Sequence, residues 1–234
     1  MTILVTGGAG FIGSHFIALL KAKASSVKII CVDSLTYAGR LDTLSSHITD
    51  DDFVFSKADI CDREKIYELF ERHSPDIVIN FAAETHVDTS INSPSLFYKT
   101  NIYGTSVLLD ACVKYGTHRF HQVSTDEVYG DTELNAPTFF DENAPLRPSS
   151  PYSASKASAD MLTLAYHRTF GLYTTISRSS NNYGPSQNAE KLIPKSITKA
   201  LSGEKVSIYG DGMNIRDWIY VDDNCEAIWS IVLN

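Results

Sequence analysis

A run of small residues, Gly7-Gly8-Ala9-Gly10-Phe11-Ile12-Gly13, follows the apolar stretch Ile3–Thr6 and opens a helical pattern from Phe11 to about Ala24. A strand, a tight glycine turn and a helix in that order must return over the sheet, which builds parallel strand pairing. Val27–Asp33 then closes a βαβ unit. The alternation continues through strand Phe53–Ser56, helix Arg63–Arg72, strand Ile77–Phe81, a long helix from about Pro94 to Tyr115 and strand Phe120–Ser124. Helix Tyr152–Phe170 and strand Tyr173–Ser177 follow. Ser93 before Pro94 reads as a helix start, and Gly116 stands where a left-handed residue closes a helix. The connection from about 131 to 150 carries Pro137, Pro145 and Pro148 and reads as a long crossing loop.

After Asn181 the alternation weakens. Asn182-Tyr183-Gly184-Pro185 is a turn, 191–203 a helix, Val206–Tyr209 and Trp218–Val221 short strands, and Val221–Asn234 a helix bearing Ile228, Trp229, Ile231 and Leu233. The expected architecture is α/β: a Rossmann-type doubly wound parallel sheet over residues 1–180, with a smaller substrate lobe beginning at 181 and cut short at 234.

The glycine turn sets backbone N–H groups at a helix N-terminus, where they meet a pyrophosphate. Gly8 to Gly13 also has the spacing of a triphosphate loop, but Ser14-His15 stands where that loop needs Lys-Ser or Lys-Thr. Asp33 ends the second strand at about the twenty-residue offset of a ribose-binding acid. Its charge repels a 2′-phosphate, so NAD is expected rather than NADP. Asp59 and Ile60, after the third strand, either flank the adenine or form a plain turn. Phe81, Ala82 and Ala83 either let a cofactor lie against the sheet or pack tightly.

Thr125, Asp126 and Glu127 follow the fifth strand at its carboxyl end, where open α/β sheets place ligands. Tyr152 and Lys156 are four apart on a helix and so share a face. An ammonium near the phenol, together with an oxidised nicotinamide, is expected to lower the phenol pKa from about 10 toward neutrality. Glu84-Thr85-His86-Val87-Asp88 alternates potential metal ligands, yet no second His or Cys group at ligand spacing accompanies it, so no metal is expected. Gly-x-Ser-x-Gly is absent, which argues against a hydrolase nucleophile elbow. A formal net charge of -8 with 21% charged residues gives no footprint for nucleic acid. The first apolar run is too short for a membrane span or signal, and the 4 cysteines lack metal spacing, so a cytoplasmic protein with reduced thiols is expected.

These residues together resemble the extended short-chain dehydrogenase/reductase superfamily and, within it, its nucleotide-sugar 4,6-dehydratases. The resemblance is carried by residues 7–14, 33–39, 82–88, 124–130, 152–156, 181–185, 190–194 and 215–218. Adjacent Asp126-Glu127 after Thr125 is its most specific part, because related epimerases share the glycines and the Tyr/Lys pair but usually not the acids. The resemblance implies that Gly7, Gly10, Phe11, Ile12, Gly13, Asp33, Ser34, Leu35, Thr36, Asp59, Ile60, Phe81, Ala82, Ala83, Thr100, Tyr152, Lys156 and Asn182 hold NAD. It implies that Thr85, Thr125, Asn181, Lys191, Leu192, Tyr209 and Arg216 hold a nucleotide sugar. It further implies a homodimer packed through helices near 94–115 and 152–170. Thr85 replaces a usual serine, Ser207 a usual proline and Asn224 a common histidine.

The expected chemistry oxidises C4 of the sugar with Tyr152 as base, assisted by Thr125 and Lys156. Glu127 then removes the C5 proton, Asp126 protonates the leaving C6 hydroxyl, and hydride returns to C6. A UDP-glucose 4,6-dehydratase, a sugar-nucleotide 4-epimerase and a catalytically silent NAD-binding regulator remain the alternatives.

Overall fold

The computed structural model describes residues 1–24, 26–131, 140–206, 208, 210–213 and 215–234. Six parallel strands form the main sheet: β1 (Thr2–Thr6), β2 (Lys28–Asp33), β3 (Phe53–Lys57), β4 (Ile77–Asn80), β5 (Arg119–Thr125) and β6 (Tyr173–Ser179). Their spatial order, β3-β2-β1-β4-β5-β6, reverses direction between β1 and β4. That reversal opens a crevice at the carboxyl ends of the two strands.

Period-two alternation divides the strands between two apolar layers. Ile3 and Val5 of β1, Ile29 and Cys31 of β2, and Ile77 and Ile79 of β4 face one core with α1 (Phe11–Lys23). Leu4, Ile30, Val32 and Val78 face the other, against α2 (Arg63–His73) and α5 (Thr105–Tyr115). Burial on both faces is why the strands read as unbroken apolar runs.

The long helix read over 94–115 is continuous but not uniform. It consists of α4 (Pro94–Phe97), a π-helical stretch Tyr98–Gly104 and α5, preceded by a short α3 (Val87–Asn92). The widened turn lets Asn101 face inward, where Nδ2 donates to Glu84 O at 3.0 Å and Ser155 Oγ at 2.8 Å, and Oδ1 accepts from Glu84 N at 2.8 Å. π-Helical stretches of this kind are frequent at functional sites. Gly116 closes α5 at φ 71°, as its position suggested.

α6 (Pro151–Phe170) starts at a reciprocal cap in which Ser150 Oγ accepts from Ser153 N at 3.0 Å and Ser153 Oγ accepts from Ser150 N at 2.9 Å. Pro151 at the first helical position needs no N–H partner. This start places Tyr152 in the first turn and Lys156 one turn later.

Beyond β6, β7 (Asn181–Tyr183) and β8 (Trp218–Tyr220) form a two-stranded parallel sheet, and α7 (Leu192–Leu201) has no buried residue. Val206 and Ile208 are not in a strand, while Ser207 and Tyr209 lie outside the described residues. α8 (Val221–Leu233), read from sequence as part of the second lobe, packs on α1. Val221, Cys225, Ile228, Trp229 and Val232 lie on one helical stripe and join the core of Ile3, Val5, Phe16 and Leu20. Among the described residues no helix is long and apolar enough to cross a membrane.

Candidate active site

The glycine turn is shaped by close approach. Gly7 has φ 66°, and a Cβ there would stand 2.7 Å from Ala82 N; at Gly13 it would stand 2.3 Å from Gly7 O. Only glycine fits these two positions, because the exit of β4 crosses the first and the turn folds onto the second. Gly10 caps α1 without a side-chain bond, so the N–H groups of the first turn stay open to an anion. A phosphate group suits this bare cradle, and the residues around it fit a dinucleotide.

Asp33 secures the cradle's second wall. Its Oδ2 accepts from Ala9 N at 3.0 Å and its Oδ1 from Leu35 N at 2.8 Å. Burial pushes the Asp33 pKa up, and the two N–H donors oppose that push. Arg40 N donates to Ala9 O at 2.9 Å, so Ser34, Leu35, Thr36 and the residues after them fold back over the glycine turn. Ile60 is buried, and Asp59 Oδ1 accepts from Cys61 N at 2.9 Å in a turn at the exit of β3. Phe81 packs its ring 5.3 Å from that of Phe16, beside half-buried Ala82 and Ala83. Thr100 lies in the π-helical stretch.

Beneath the crevice runs a buried polar ladder. Thr6 Oγ1 donates to Asn80 Oδ1 at 2.6 Å, and Asn80 Nδ2 donates to Gln122 Oε1 at 2.9 Å and Thr105 Oγ1 at 3.2 Å. Every member is paired, so the ladder fixes β1, β4, β5 and α5 against one another.

The acid pair sits on a 3₁₀ turn, Asp126–Tyr129, leaving β5. Thr125 Oγ1 donates to Asp126 Oδ1 at 3.2 Å and accepts from Glu127 N at 3.3 Å. Burial pushes the Asp126 pKa up, opposed by Thr125 and by the charge of Arg216. Burial likewise raises Glu127, the Asp126 charge adds to it, and Arg216 and Lys191 pull the other way. Two substrate-binding candidates thus reach the acid pair electrostatically.

Tyr152 is 7% exposed and meets Phe97 edge-on at 6.3 Å. The expected lowering of its pKa is absent in the protein by itself. Burial pushes the phenol up, the charges of Glu127, Asp126 and Tyr37 add to this, and the Thr125 hydroxyl opposes. The reason is visible at Lys156, whose Nζ donates to Val123 O at 2.7 Å. Burial lowers the Lys156 pKa to about 8, against the pull of Asp160.

Thr85 lies beside Tyr37 and opposes the rise that burial imposes on the Tyr37 phenol. Lys191 Nζ lies 3.9 Å from Glu190 Oε1, Leu192 is exposed, and Arg216 is exposed with Nη1 donating to Ile215 O at 2.8 Å. Asn181 begins β7, and Asn182 Nδ2 donates to Ser179 Oγ at 3.1 Å while its Oδ1 accepts from Asn224 Nδ2 at 2.9 Å. Tyr209 lies outside the described residues. His86 of the Glu84–Asp88 segment caps α3, accepting from Thr89 N at 3.4 Å, and its Nε2 lies 3.7 Å from Glu190 Oε2. Tyr37, Glu84 and Glu190 were not singled out for the sugar-nucleotide site; Glu84 and Glu190 adjoin Thr85 and Lys191 in sequence, and the fold brings Tyr37 beside them.

Residues 4–234 match the family model described as GDP-mannose 4,6 dehydratase. A dTDP-glucose 4,6-dehydratase of Xanthomonas campestris pv. campestris (strain B100) is 48% identical over 240 residues, covering 99% of this chain and 67% of that protein. The Escherichia coli dTDP-glucose 4,6-dehydratase is 46% identical over 248 residues, covering 99% of this chain and 68% of its own. A crystal structure of dTDP-glucose 4,6-dehydratase from Bacillus anthracis in complex with NAD superposes with a TM-score of 0.91 at 46% identity, covering 99% of this chain and 71% of that one.

Proposed function

The chain belongs to the family described as GDP-mannose 4,6 dehydratase, and from that membership we propose that it converts dTDP-glucose to dTDP-4-keto-6-deoxyglucose using NAD. The observation that carries this reading is the adjacent, partly buried Asp126 and Glu127 on the turn leaving β5, with both carboxyl pKa values pushed up and Tyr152 within reach of their charges. A reaction that only oxidises and reduces one carbon has no use for a second acid and base there.

The N-terminus of α1, Asp33 and the exits of β3 and β4 would hold the dinucleotide, together with Tyr152, Lys156, Thr100 and Asn182. When bound, NAD supplies the acceptor for the C4 hydride and the donor for the hydride that later reaches C6. Tyr152 takes the C4 hydroxyl proton, and the Thr125 hydroxyl beside it orients the same oxygen. The resulting C4 ketone acidifies the C5 hydrogen. Glu127 removes that proton, and Asp126 gives its own to the C6 hydroxyl, which departs as water. Glu127 then returns a proton to C5.

Thr125 Oγ1 and the N–H groups of the turn favour ionised Asp126, whose charge raises Glu127, while Arg216 and Lys191 pull Glu127 back toward its ionised form. The division into Asp126 as proton donor and Glu127 as base is therefore taken from the family resemblance and not from these neighbours. Arg216 and Lys191 are assigned to the diphosphate side, with Thr85, Asn181, Leu192 and Tyr209 completing the sugar-nucleotide site. The substrate side comprises β7, α7 and β8. Exposed Tyr103, Met161 and Leu164 on α6 and the helical segment before it support a homodimer through those faces, and four free cysteines agree with a cytoplasmic setting.

Incubation of the protein with dTDP-glucose and NAD, followed by mass spectrometry, tests the reading. The expected product is lighter by one water. A product of unchanged mass would instead mean epimerisation.

A further inference from the structure

One turn beyond Lys156 on α6 lies Asp160, a fully buried carboxylate that the chemistry above does not use. Its Oδ2 accepts from Arg178 Nε on β6 at 2.8 Å. Arg178 is itself fixed from the acid-pair turn: Nη1 donates to Tyr129 OH at 2.9 Å, and the guanidinium lies 5.2 Å from the Tyr129 ring centre. Phe140 stacks on that ring at 4.9 Å with an interplanar angle of 16°. A continuous line of side chains therefore joins the helix of Tyr152 and Lys156 to the turn of Asp126 and Glu127.

Arg178 takes up only part of the Asp160 charge. Asp160 Oδ1 lies beside Ser124 Oγ, and neither atom has a well-aligned hydrogen bond among the described residues. The remaining field acts on Lys156, for which Asp160 is, among the described residues, the one charged group with an appreciable effect. The other charged or titratable neighbours act elsewhere: Glu127, Asp126 and Tyr37 on Tyr152, and Tyr129 on Arg178. A buried ammonium without a counter-ion sheds its proton rather than remain charged. Lys156 and Arg178 together with Asp160 carry one net positive charge, the complement of a single phenolate at Tyr152.

We propose that Asp160, held in place by Arg178, is the buried counter-ion that positions Lys156 as an ammonium one turn from Tyr152. Asp160 is a positioning residue, because it acts through Lys156 and not on the sugar. The proposal rests on the roles assigned above to Tyr152 and Lys156.

The test is a side-chain NMR titration of the 234-residue protein with ¹⁵N-labelled lysine, the Lys156 signal being assigned with Lys156→Arg. In Asp160→Asn the Lys156 midpoint moves toward acid by about one unit, and in Asp160→Glu it stays in place because the charge is restored. Should Asp160→Asn leave Arg178 too poorly paired for folding, Asp160→Asn/Arg178→Met removes both buried ions and shows the same acid shift. An unmoved midpoint in either folded variant overturns the proposal. The titration needs no turnover, so the two readings fail separately. A product-forming protein with an unmoved midpoint removes this proposal, and a moved midpoint in a protein that leaves dTDP-glucose untouched removes the dehydratase reading.

Discussion

Acidification should open the seam between β5 and β6 through one histidine. His121 is 0% exposed and lies between two hydroxyls on the neighbouring strand, Nδ1 at 2.8 Å from Thr175 Oγ1 and Nε2 at 3.0 Å from Ser177 Oγ. Among the described residues no carboxylate offsets the burial, and the pKa falls from an ordinary 6.5 to about 4. The folded pKa lies below the unfolded one, so the unfolded chain binds more protons throughout that window. Stability is therefore full above about pH 6.5, falls as the pH drops, and levels off below about pH 4. Linkage over this shift gives a loss of about 2 kcal/mol by pH 5 and about 3 kcal/mol by pH 4. The assay is urea unfolding of the wild type and His121→Gln at several pH values from 7.5 to 4. Other groups titrate alike in both proteins, so the difference between them isolates His121. The wild-type advantage at neutral pH should shrink by about 2 kcal/mol at pH 5, or reverse. A difference that stays constant over this range would refute the argument. The same transition should end activity, because β5 carries Thr125 and β6 carries Arg178.

Asp126→Asn and Glu127→Gln should each lower formation of the dehydrated product by roughly 10²–10⁴-fold while hydride exchange at C4 persists; mass spectrometry with deuterated substrate distinguishes the two, and undiminished product from the double variant would be fatal to the assignment. Gly7→Ala should cost ~1–3 kcal/mol in backbone strain and displace the exit of β4, abolishing NAD binding in a calorimetric titration; normal binding would contradict the cradle. Ile228→Ala should destabilise the protein by about 2–5 kcal/mol, since α8 belongs to the main core. Denaturation showing a loss below 1 kcal/mol would mean that α8 is only loosely attached.

The strands, their parallel sense and the glycine turn were legible because period-two burial, close approach and positive φ each restrict residue type locally. Asp33 was legible for the same reason, standing where β2 must end beside the turn. The position of α8 was not. Its stripe of Val221, Cys225, Ile228, Trp229 and Val232 has the same spacing whichever core covers it. The π-helical stretch was also hidden, because Tyr98–Gly104 differs from ordinary helix only in which residues must point inward. The roles of Asp160 and His121 depend on partners brought across from β6, and nothing near them in sequence signals a buried ion or a neutral imidazole. The phenol of Tyr152 illustrates the same limit: helical spacing places Lys156 on its face, but whether the ammonium turns to the phenol or to the Val123 carbonyl is set by β5.

The packing of α8 on α1 gives the segment from 181 to 220 the topology of an insertion with both ends held. The chain leaves the main sheet at β6 and returns to the same core at Val221, and His15 on α1 ties the two limbs by contacting the Pro185 carbonyl and the Asp222 carboxylate. Ends fixed so near each other lower the entropic cost of ordering everything between them. They also make the segment exchangeable: a relative's stretch of different length or side chains can be set between the same two anchors without disturbing the strands below. On the function proposed above, recognition of the sugar nucleotide can thus diverge while the dinucleotide cradle stays constant.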